Sequence, residues 1–359
     1  MCARGLLRNS ASNYFKSPAR RKSTKKCIVY TTKATDPYQN LAFEDWMYEK
    51  VDFSSSNCLF IWRNEPSVII GRHQNPWKEC PVTDLLRREI HICRRRSGGG
   101  AVYHDLGNIN FTFFSDRSSY DRCSNLRVIV AALQQLSPNL DVAINKRDDI
   151  ILNDRHKISG SSSKLGRRST YHHCTMLLDA NKTQVIKTLS AKIDITCKAT
   201  SSVRSSVLNL VDADNHLTFD LICNKVVDIY QRKHASSEVY EISTNDEKLL
   251  PGVGKYREEL SSWEWIFGKT PEFSLKREFL NEALGKILIQ LHVKKGFIEN
   301  VEIIPGLDEM VAITTFLQTR MVGCRFSSQD LTHLLSSLVP PLDQKLYRSI
   351  SDNILSFLQ

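Results

Sequence analysis

Arg94-Arg95-Arg96-Ser97-Gly98-Gly99-Gly100-Ala101-Val102-Tyr103-His104-Asp105 is the stretch on which the reading of this 359-residue chain turns. A basic strand, Ile92 to Arg96, runs into three glycines, and Ala101 to His104 leaves them as a second strand. Glycines so placed let the backbone come close to a ligand and offer successive N–H groups to an anion. The arginines before them add charge that pairs with phosphate. A Walker A loop is excluded by the spacing, and Gly268-Lys269-Thr270 copies only the tail of one, with Trp263 where the first glycine belongs. Nor does a helix open after the glycines, as a dinucleotide fold requires. Taken alone, the triple glycine reads equally as a flexible turn.

Upstream, Asp36-Pro37 opens a helix that runs to about Lys50, with Asp as the cap and Pro in the first turn. Cys58 to Trp62 and Ser67 to Gly71 are apolar runs of strand length, turned at Asn64-Glu65-Pro66, and a short helix follows near Val82 to Glu89. Downstream, Asn108 to Phe114 alternates polar and apolar residues, which predicts a half-buried strand. Leu126 to Leu136 has helical spacing. Ile150-Ile151-Leu152 and Lys157-Ile158 flank Asn153-Asp154 as arms of a hairpin. Ser159 to Arg168 reads as a small, polar and basic loop, and Cys174 to Leu178 as a strand. The chain turns polar between about Ala235 and Gly254, which marks a domain boundary. Beyond it, a hairpin around Lys294-Lys295-Gly296 precedes amphipathic helices. No internal repeat is present.

The length fits two domains. Hydrophobic residues at 41% and charged residues at 25% are ordinary for a folded protein. Mean hydropathy is −0.30, and no stretch approaches the ~20 apolar residues that span a bilayer. Net charge is +10, but eight cations lie in residues 1–26, before the first acid at Asp36; without them the excess falls to +2. That location argues against a nucleic-acid partner for the folded body. An Arg-rich, Ser-containing and acid-free start has the composition of a mitochondrial transit peptide, or of a disordered basic tail. The ten cysteines are scattered without C-x-x-C, so no zinc site of the usual spacing is written.

Two further segments bear chemistry. Lys157-Ile158-Ser159-Gly160-Ser161 sets a lysine among small residues, where its cation can stabilise a phosphate or a carbonyl oxygen gaining charge, or simply lie in solvent. In Tyr171-His172-His173-Cys174-Thr175, adjacent strand histidines point to opposite faces and make a poor joint metal pair. Cys174 there reads as packing or, with a histidine, as a nucleophile.

The string at 94–108, K-I-S-G-S at 157–161, H-H-C-T at 172–175, S-S-V-R-S-S-V-L-N-L at 201–210 and S-S-W-E-W-I-F-G-K-T-P at 261–271 together resemble the lipoate–protein ligase and lipoyltransferase family, in family order across about residues 36–275. With the presequence, the chain resembles the animal mitochondrial lipoyltransferases. The resemblance implies an α+β architecture. A biotin/lipoate-protein-ligase-like catalytic domain, a mixed β-sheet flanked by helices, would span 27–245 after a transit peptide at 1–26, and a small C-terminal α/β accessory domain 252–359.

It also implies the chemistry. Lipoyl-AMP, a mixed anhydride of lipoate and AMP, is the bound substrate, with no tightly held cofactor and no metal; Mg2+ enters only if an activation step is retained. Lys157 matches the lysine between acyl carbonyl and phosphate and is the catalytic candidate. Arg95, Gly99, Gly100, Ala101, Val102, Tyr103, Arg147, Thr175, Val203 and Ser205 match adenylate-holding positions. The lipoyl group passes to one lysine of the lipoyl domains of 2-oxoacid dehydrogenase acyltransferase subunits, from lipoyl-AMP or from the lipoylated glycine-cleavage H protein, in the mitochondrial matrix, by a monomer. The alternative is a complete ATP-dependent ligase. Bacterial ligases carry R-N-D where this chain has Arg147-Asp148-Asp149, and an extra carboxylate beside the phosphates would oppose ATP activation. A non-catalytic module that binds lipoylated domains is the rival of another class. The cations Arg87, Arg88, Arg94 and Arg96, and Lys164, Arg167 and Arg168, are expected at the active-site mouth, steering acidic acceptors.

Overall fold

The computed structural model describes residues 25–189, 193–234, 236–281, 285–304, 311–338 and 344–358. Residues 1–24 of the expected presequence therefore lie outside the described residues. The first helix, α1 (Pro37–Lys50), begins where the sequence puts it: Asp36 Oδ1 accepts the N–H groups of Tyr38 and Gln39 at 2.8 and 3.2 Å, and Pro37 fills the first turn.

Two sheets frame the site. The strands are β1 (Lys26–Thr31), β2 (Ser56–Trp62), β3 (Ser67–Ile70), β4 (His91–Arg94), β5 (Val102–His104), β6 (Asn108–Asp116), β7 (Val142–Ile144), β8 (Ile150–Leu152), β9 (His156–Ser159), β10 (Ser161–Leu165), β11 (Ser169–Leu177), β12 (Thr196–Cys197) and β13 (Ser237–Glu241). A mixed six-stranded sheet runs β10-β11-β6-β2-β1-β13, with β1 parallel to both neighbours and the other pairs antiparallel. A three-stranded sheet, β4-β3-β5, holds the strands on either side of the glycines. The β7-β8-β9 meander carries Lys157, and Asn153 and Asp154 both take positive φ in the three-residue loop between the paired Leu152 and His156.

Both faces of the larger sheet are covered. Leu59 and Ile61 face the helices α4 (Arg122–Leu136) and α6 (Phe219–Gln231), while Cys58, Phe60 and Trp62 pack with Leu41, Phe43 and Met47 of α1. That is why β2 reads as an unbroken apolar run. Strand β6 corrects the half-buried expectation: Asn108 through Phe114 are all buried, with Thr112 facing α1 and Asn108 and Asn110 turned toward two internal cavities. Thr112 Oγ1 there donates to Glu44 Oε1 at 2.8 Å and accepts from Trp62 Nε1 at 3.0 Å. The expected loop at Ser159 to Arg168 is likewise in part an edge strand, β10, paired Ser161 to Cys174 and Leu165 to Thr170.

Between α1 and α4 lie the short helices α2 (Pro76–Glu79) and α3 (Val82–Arg87), and α5 (Lys182–Thr188) follows β11. The polar stretch after α6 contains β13, which extends the large sheet beside β1. Helix α7 (Val253–Ser261) then lies on α1: Trp46 Nε1 donates to the Pro251 carbonyl at 3.0 Å, and Arg257 pairs with Asp36 at 2.7 Å. Helix α8 (Trp263–Ile266) leads to a second sheet of β12, β14 (Phe273–Asn281), β15 (Gly285–Lys294) and β16 (Phe297–Ile304), with α9 (Val311–Met321), α10 (Ser328–Ser337) and α11 (Gln344–Ser356) after it. Its core is continuous with that of the three-stranded sheet, since the Trp77 ring lies 5.2, 5.4 and 5.2 Å from Phe267, Phe273 and Phe326.

Candidate active site

Two adjoining cavities open between the sheets. The larger, about 440 Å3, has apolar walls from Tyr103, Val185, Ile186 and Leu189, and a polar wall from the 201–205 strap. The smaller, about 210 Å3, reaches down to Leu41, Trp62, Ile69, His104 and Asn110. Ala101, Val102, Lys157, Gly160, Thr175, Ser202 and Val203 line both. Lys157 thus stands at the junction.

Its position is fixed from several sides. The Lys157 N–H donates to the Ser206 carbonyl at 2.9 Å, and its carbonyl accepts from Leu208 at 3.3 Å, so the backbone is pinned to the end of the strap. Lys157 Nζ sits 2.7 Å from Asp149 Oδ1, on a carboxylate that is largely buried. The Thr175 N–H donates to the Gly160 carbonyl at 2.9 Å, and the Gly160 N–H donates to Thr175 Oγ1 at 3.2 Å. A cation at this junction reaches both compartments.

The glycine loop is held from within by Arg95. Its Nε donates to Ser97 Oγ, one Nη to the Ile69 carbonyl, and the other to the Gly98 and Gly100 carbonyls, at 2.6 to 3.0 Å. Burial pushes this guanidinium down to about 10. Arg95 lines the smaller cavity, yet most of its donors shape the loop rather than face a ligand. Gly99 takes φ +87° and lines the smaller cavity, which Gly100 also lines. Arg147 is exposed on the same cavity, Tyr103 and Ser205 line the larger one, and Val203 is 63% exposed at the shared rim. Every candidate site residue therefore lines one or both cavities.

Three expectations need correction. Asp148 turns from the phosphate-side position expected of it: in the left-handed region at φ 59°, it pairs with Arg122 at 3.0 Å and lines neither cavity. Arg94, Arg96 and Arg88 are not free steering charges. Arg94 is fully buried, Arg96 pairs with Asp45 and Glu259, and Arg88 pairs with Asp84. Arg167 and Arg168 sit in the turn at the far end of the β10–β11 hairpin, about 15 Å along the strand from Gly160.

His172 and His173 do point to opposite faces. His172 is buried against Phe113, whereas His173 Nδ1 contacts Glu44 Oε1 at 2.9 Å and its Nε2 contacts Ser97 Oγ at 2.8 Å. Cys174 is buried, and desolvation pushes its thiol up to about 12, so it makes a poor nucleophile at neutral pH.

Residues 36–231 match the lipoyl protein ligase A/B catalytic domain. The chain belongs to that family. It is 40% identical over 335 residues to the human protein named mitochondrial lipoyl amidotransferase, covering 91% of this chain and 90% of that one. The mouse protein of that name is 40% identical over 318 residues, 87% of this chain and 85% of its own. Lipoate-protein ligase A of Psychrobacter cryohalolentis is 34% identical over 303 residues, 80% of this chain and 88% of its own. The crystal structure of P. falciparum LipL1 in complex with lipoate shares the fold at a TM-score of 0.57 and 26% identity, covering 92% of this chain and 99% of that one. This member of the lipoyl protein ligase A/B family is an acyltransferase, and its reaction is lipoyl transfer.

In this family member, several residues that build the site escape sequence reading. Glu44 and Asp45 sit in α1, which is buried along most of its length and so shows no amphipathic stripe to set them apart. Glu79, Gln74 and Ser202 join the strap to the glycine loop across more than a hundred residues, a relation no local pattern reveals. Ser202 does fall inside the quoted 201–210 motif; that was the available signal.

Proposed function

We propose that the chain carries the lipoyl group from lipoyl-AMP to the ε-amine of one lysine on the lipoyl domains of 2-oxoacid dehydrogenase acyltransferase subunits, in the mitochondrial matrix. The lipoylated glycine-cleavage H protein is a second donor. Residues 27–245 act as the catalytic unit, and 252–359 as an accessory unit braced against it through α7 and Arg94. The observation that carries the reading is the place of Lys157 where the two cavities meet.

The larger compartment suits the nucleotide and the narrower, deeper one the acyl chain, which leaves the mixed anhydride at the junction. The acceptor amine attacks the acyl carbon, the carbon–oxygen bond to phosphate breaks, and AMP departs as the new amide nitrogen gives up a proton to solvent. Lys157 faces the carbonyl oxygen as it gains charge and the phosphate as it leaves, an electrostatic contribution made at the transition state. Asp149 orients the ammonium. Arg147 contributes a cation on the acyl-side cavity, and Thr175 and Gly160 keep the lysine's path clear. Alignment of the incoming amine supplies much of the remaining acceleration.

ATP-driven activation of free lipoate is the second reading, supported by the ligase relatives, and Mg2+ would accompany it. One experiment separates the two. Purified protein is incubated with apo lipoyl domain and, separately, lipoyl-AMP, lipoate plus ATP and Mg2+, or lipoylated H protein, and acylation is read by mass. Acylation from lipoyl-AMP but not from lipoate plus ATP is expected. Equal yields from both would make the protein a complete ligase, and none from any donor would leave a binding module.

A further inference from the structure

The strap at 198–206 touches the glycine loop through one hydroxyl. Ser202 Oγ accepts the Ala101 N–H at 2.8 Å and Gln74 Nε2 at 3.1 Å, and donates to Glu79 Oε2. The Ser202 N–H donates to the other carboxylate oxygen of Glu79 at 3.3 Å. Glu79 is 8% exposed, and among the described residues its carboxylate accepts from these two groups of Ser202. The contact leaves little room beside it: a Cβ at Gly100 would stand 3.0 Å from Ser202 Oγ and 3.3 Å from Ser202 Cα, so the strap would have to give by a few tenths of an ångström. Gln74 also accepts the Gly71 N–H at 2.8 Å, which extends the chain of bonds under the loop.

Three consequences follow from this arrangement. The Ala101 amide, one of the N–H groups a glycine-rich loop would offer an anion, is already engaged by the protein. This buried carboxylate is stabilised by the donors it grips, so loss of the Ser202 hydroxyl leaves it only the Ser202 N–H at 3.3 Å. Ser202 also lines both cavities, so the bond lies at the wall over the reacting bond.

We propose that Glu79 and Ser202 are a positioning pair that fixes the strap on the glycine loop and so decides whether the activated acyl group meets a protein amine or water. The proposal rests on the lipoyl-adenylate reading of the site. In the competing reaction a water oxygen bonds to the acyl carbon, the carbon–oxygen bond to phosphate breaks, free lipoate and AMP leave, and the water's protons pass to solvent. A fixed strap keeps water from that carbon; a loosened one admits it.

The test uses the full chain with lipoyl-AMP, with and without apo lipoyl domain, reading amide by mass and AMP by chromatography. Hydrogen exchange at the Ala101 amide is followed in parallel. Ser202→Ala is expected to raise hydrolysis relative to transfer by at least about tenfold and to speed Ala101 exchange to a similar degree, since a hydrogen bond to a charged group is removed from the chain. Ser202→Thr, which keeps the hydroxyl, restores both. Glu79→Gln, which keeps one acceptor oxygen, falls between and serves if Ser202→Ala does not fold. A folded Ser202→Ala or Glu79→Gln protein with the wild-type ratio and wild-type exchange overturns the pair. If the wild type itself forms no amide, the reading of the site fails instead, and Ala101 exchange alone then decides whether Ser202 holds the loop.

Discussion

Lys157 Nζ and Asp149 Oδ1 lie 2.7 Å apart at the point where two cavities join. The pair aims a cation at both. Replacing Lys157 with Ala is expected to lower kcat for transfer by about 10²–10³, with the fold intact as read by circular dichroism. Asp149→Asn is expected to lower kcat less, because the cation remains and only its aim is lost. A Lys157→Ala enzyme with near-wild-type kcat would remove the lysine from the chemistry.

Cys174 is expected to form no acyl-enzyme. Its thiol is buried and its Sγ lies 3.9 Å from the Phe111 carbonyl, in surroundings that keep it protonated near neutrality. Cys174→Ala will retain most activity, and quenched reactions will hold no thioester. A hydroxylamine-labile lipoyl adduct on Cys174 would contradict this and point to covalent catalysis.

Acid will destabilise the fold through buried histidines. Burial, with Arg95 and His173 nearby, lowers His104 to about 3 from an ordinary 6.5, and burial lowers His172 well below that ordinary value. A depressed folded-state value means the unfolded chain binds the proton first. The stability these groups contribute is thus present above about pH 6.5 and is lost as pH falls toward 3. Thermal midpoints measured across that window will fall, and His172→Gln will flatten the slope. An unchanged slope in that variant would show the ring does not titrate with unfolding.

Arg94 will prove structural. Its guanidinium donates to the carbonyls of Gly71, Arg72, Gln74, Trp265 and Ile266 and to Thr270 Oγ1, at 2.6 to 3.3 Å. Arg94→Met leaves those buried acceptors without partners and is expected to cost about 3 kcal/mol or more. Urea unfolding measures it; a midpoint near wild type would mean water replaces the guanidinium at no cost.

Arg167→Glu with Arg168→Glu is expected to leave the KM for acceptor domain within about twofold, because that turn lies away from the junction. Initial rates at low ionic strength provide the check, where exposed charges are least screened. A large rise in KM would restore the hairpin tip as a docking surface.

Much of the fold was legible because its signals are local. Asp36-Pro37 fixes the start of α1, and Asn153-Asp154 and Lys295-Gly296 adopt the positive φ that their hairpins need. The glycine loop and Lys157 stand out by composition and by family motif. What stayed hidden depends on distant partners. Arg94 reads as one more cation in a basic run, and only the distant carbonyls of residues 71–74 and 265–266 make it a core residue. Strand β10 is small and polar, like a loop, and owes its conformation to pairing with β11. Strand β13 is exposed along its whole length, so no apolar alternation announces it.

The two residues of β12, Thr196 and Cys197, pair with Ser274 and Phe273 of β14. The strap begins directly after them, so one wall of the larger cavity is anchored in the sheet farthest along the chain. A protease cut near residue 251 that removed everything beyond it would unmoor that wall, and would also take α7 from α1 and the Trp265 and Ile266 carbonyls from Arg94 at the foot of the glycine loop. The C-terminal third is in this sense a piece of the site's own masonry, and the chain cannot be shortened to its catalytic sequence motifs without loosening the chamber in which they act.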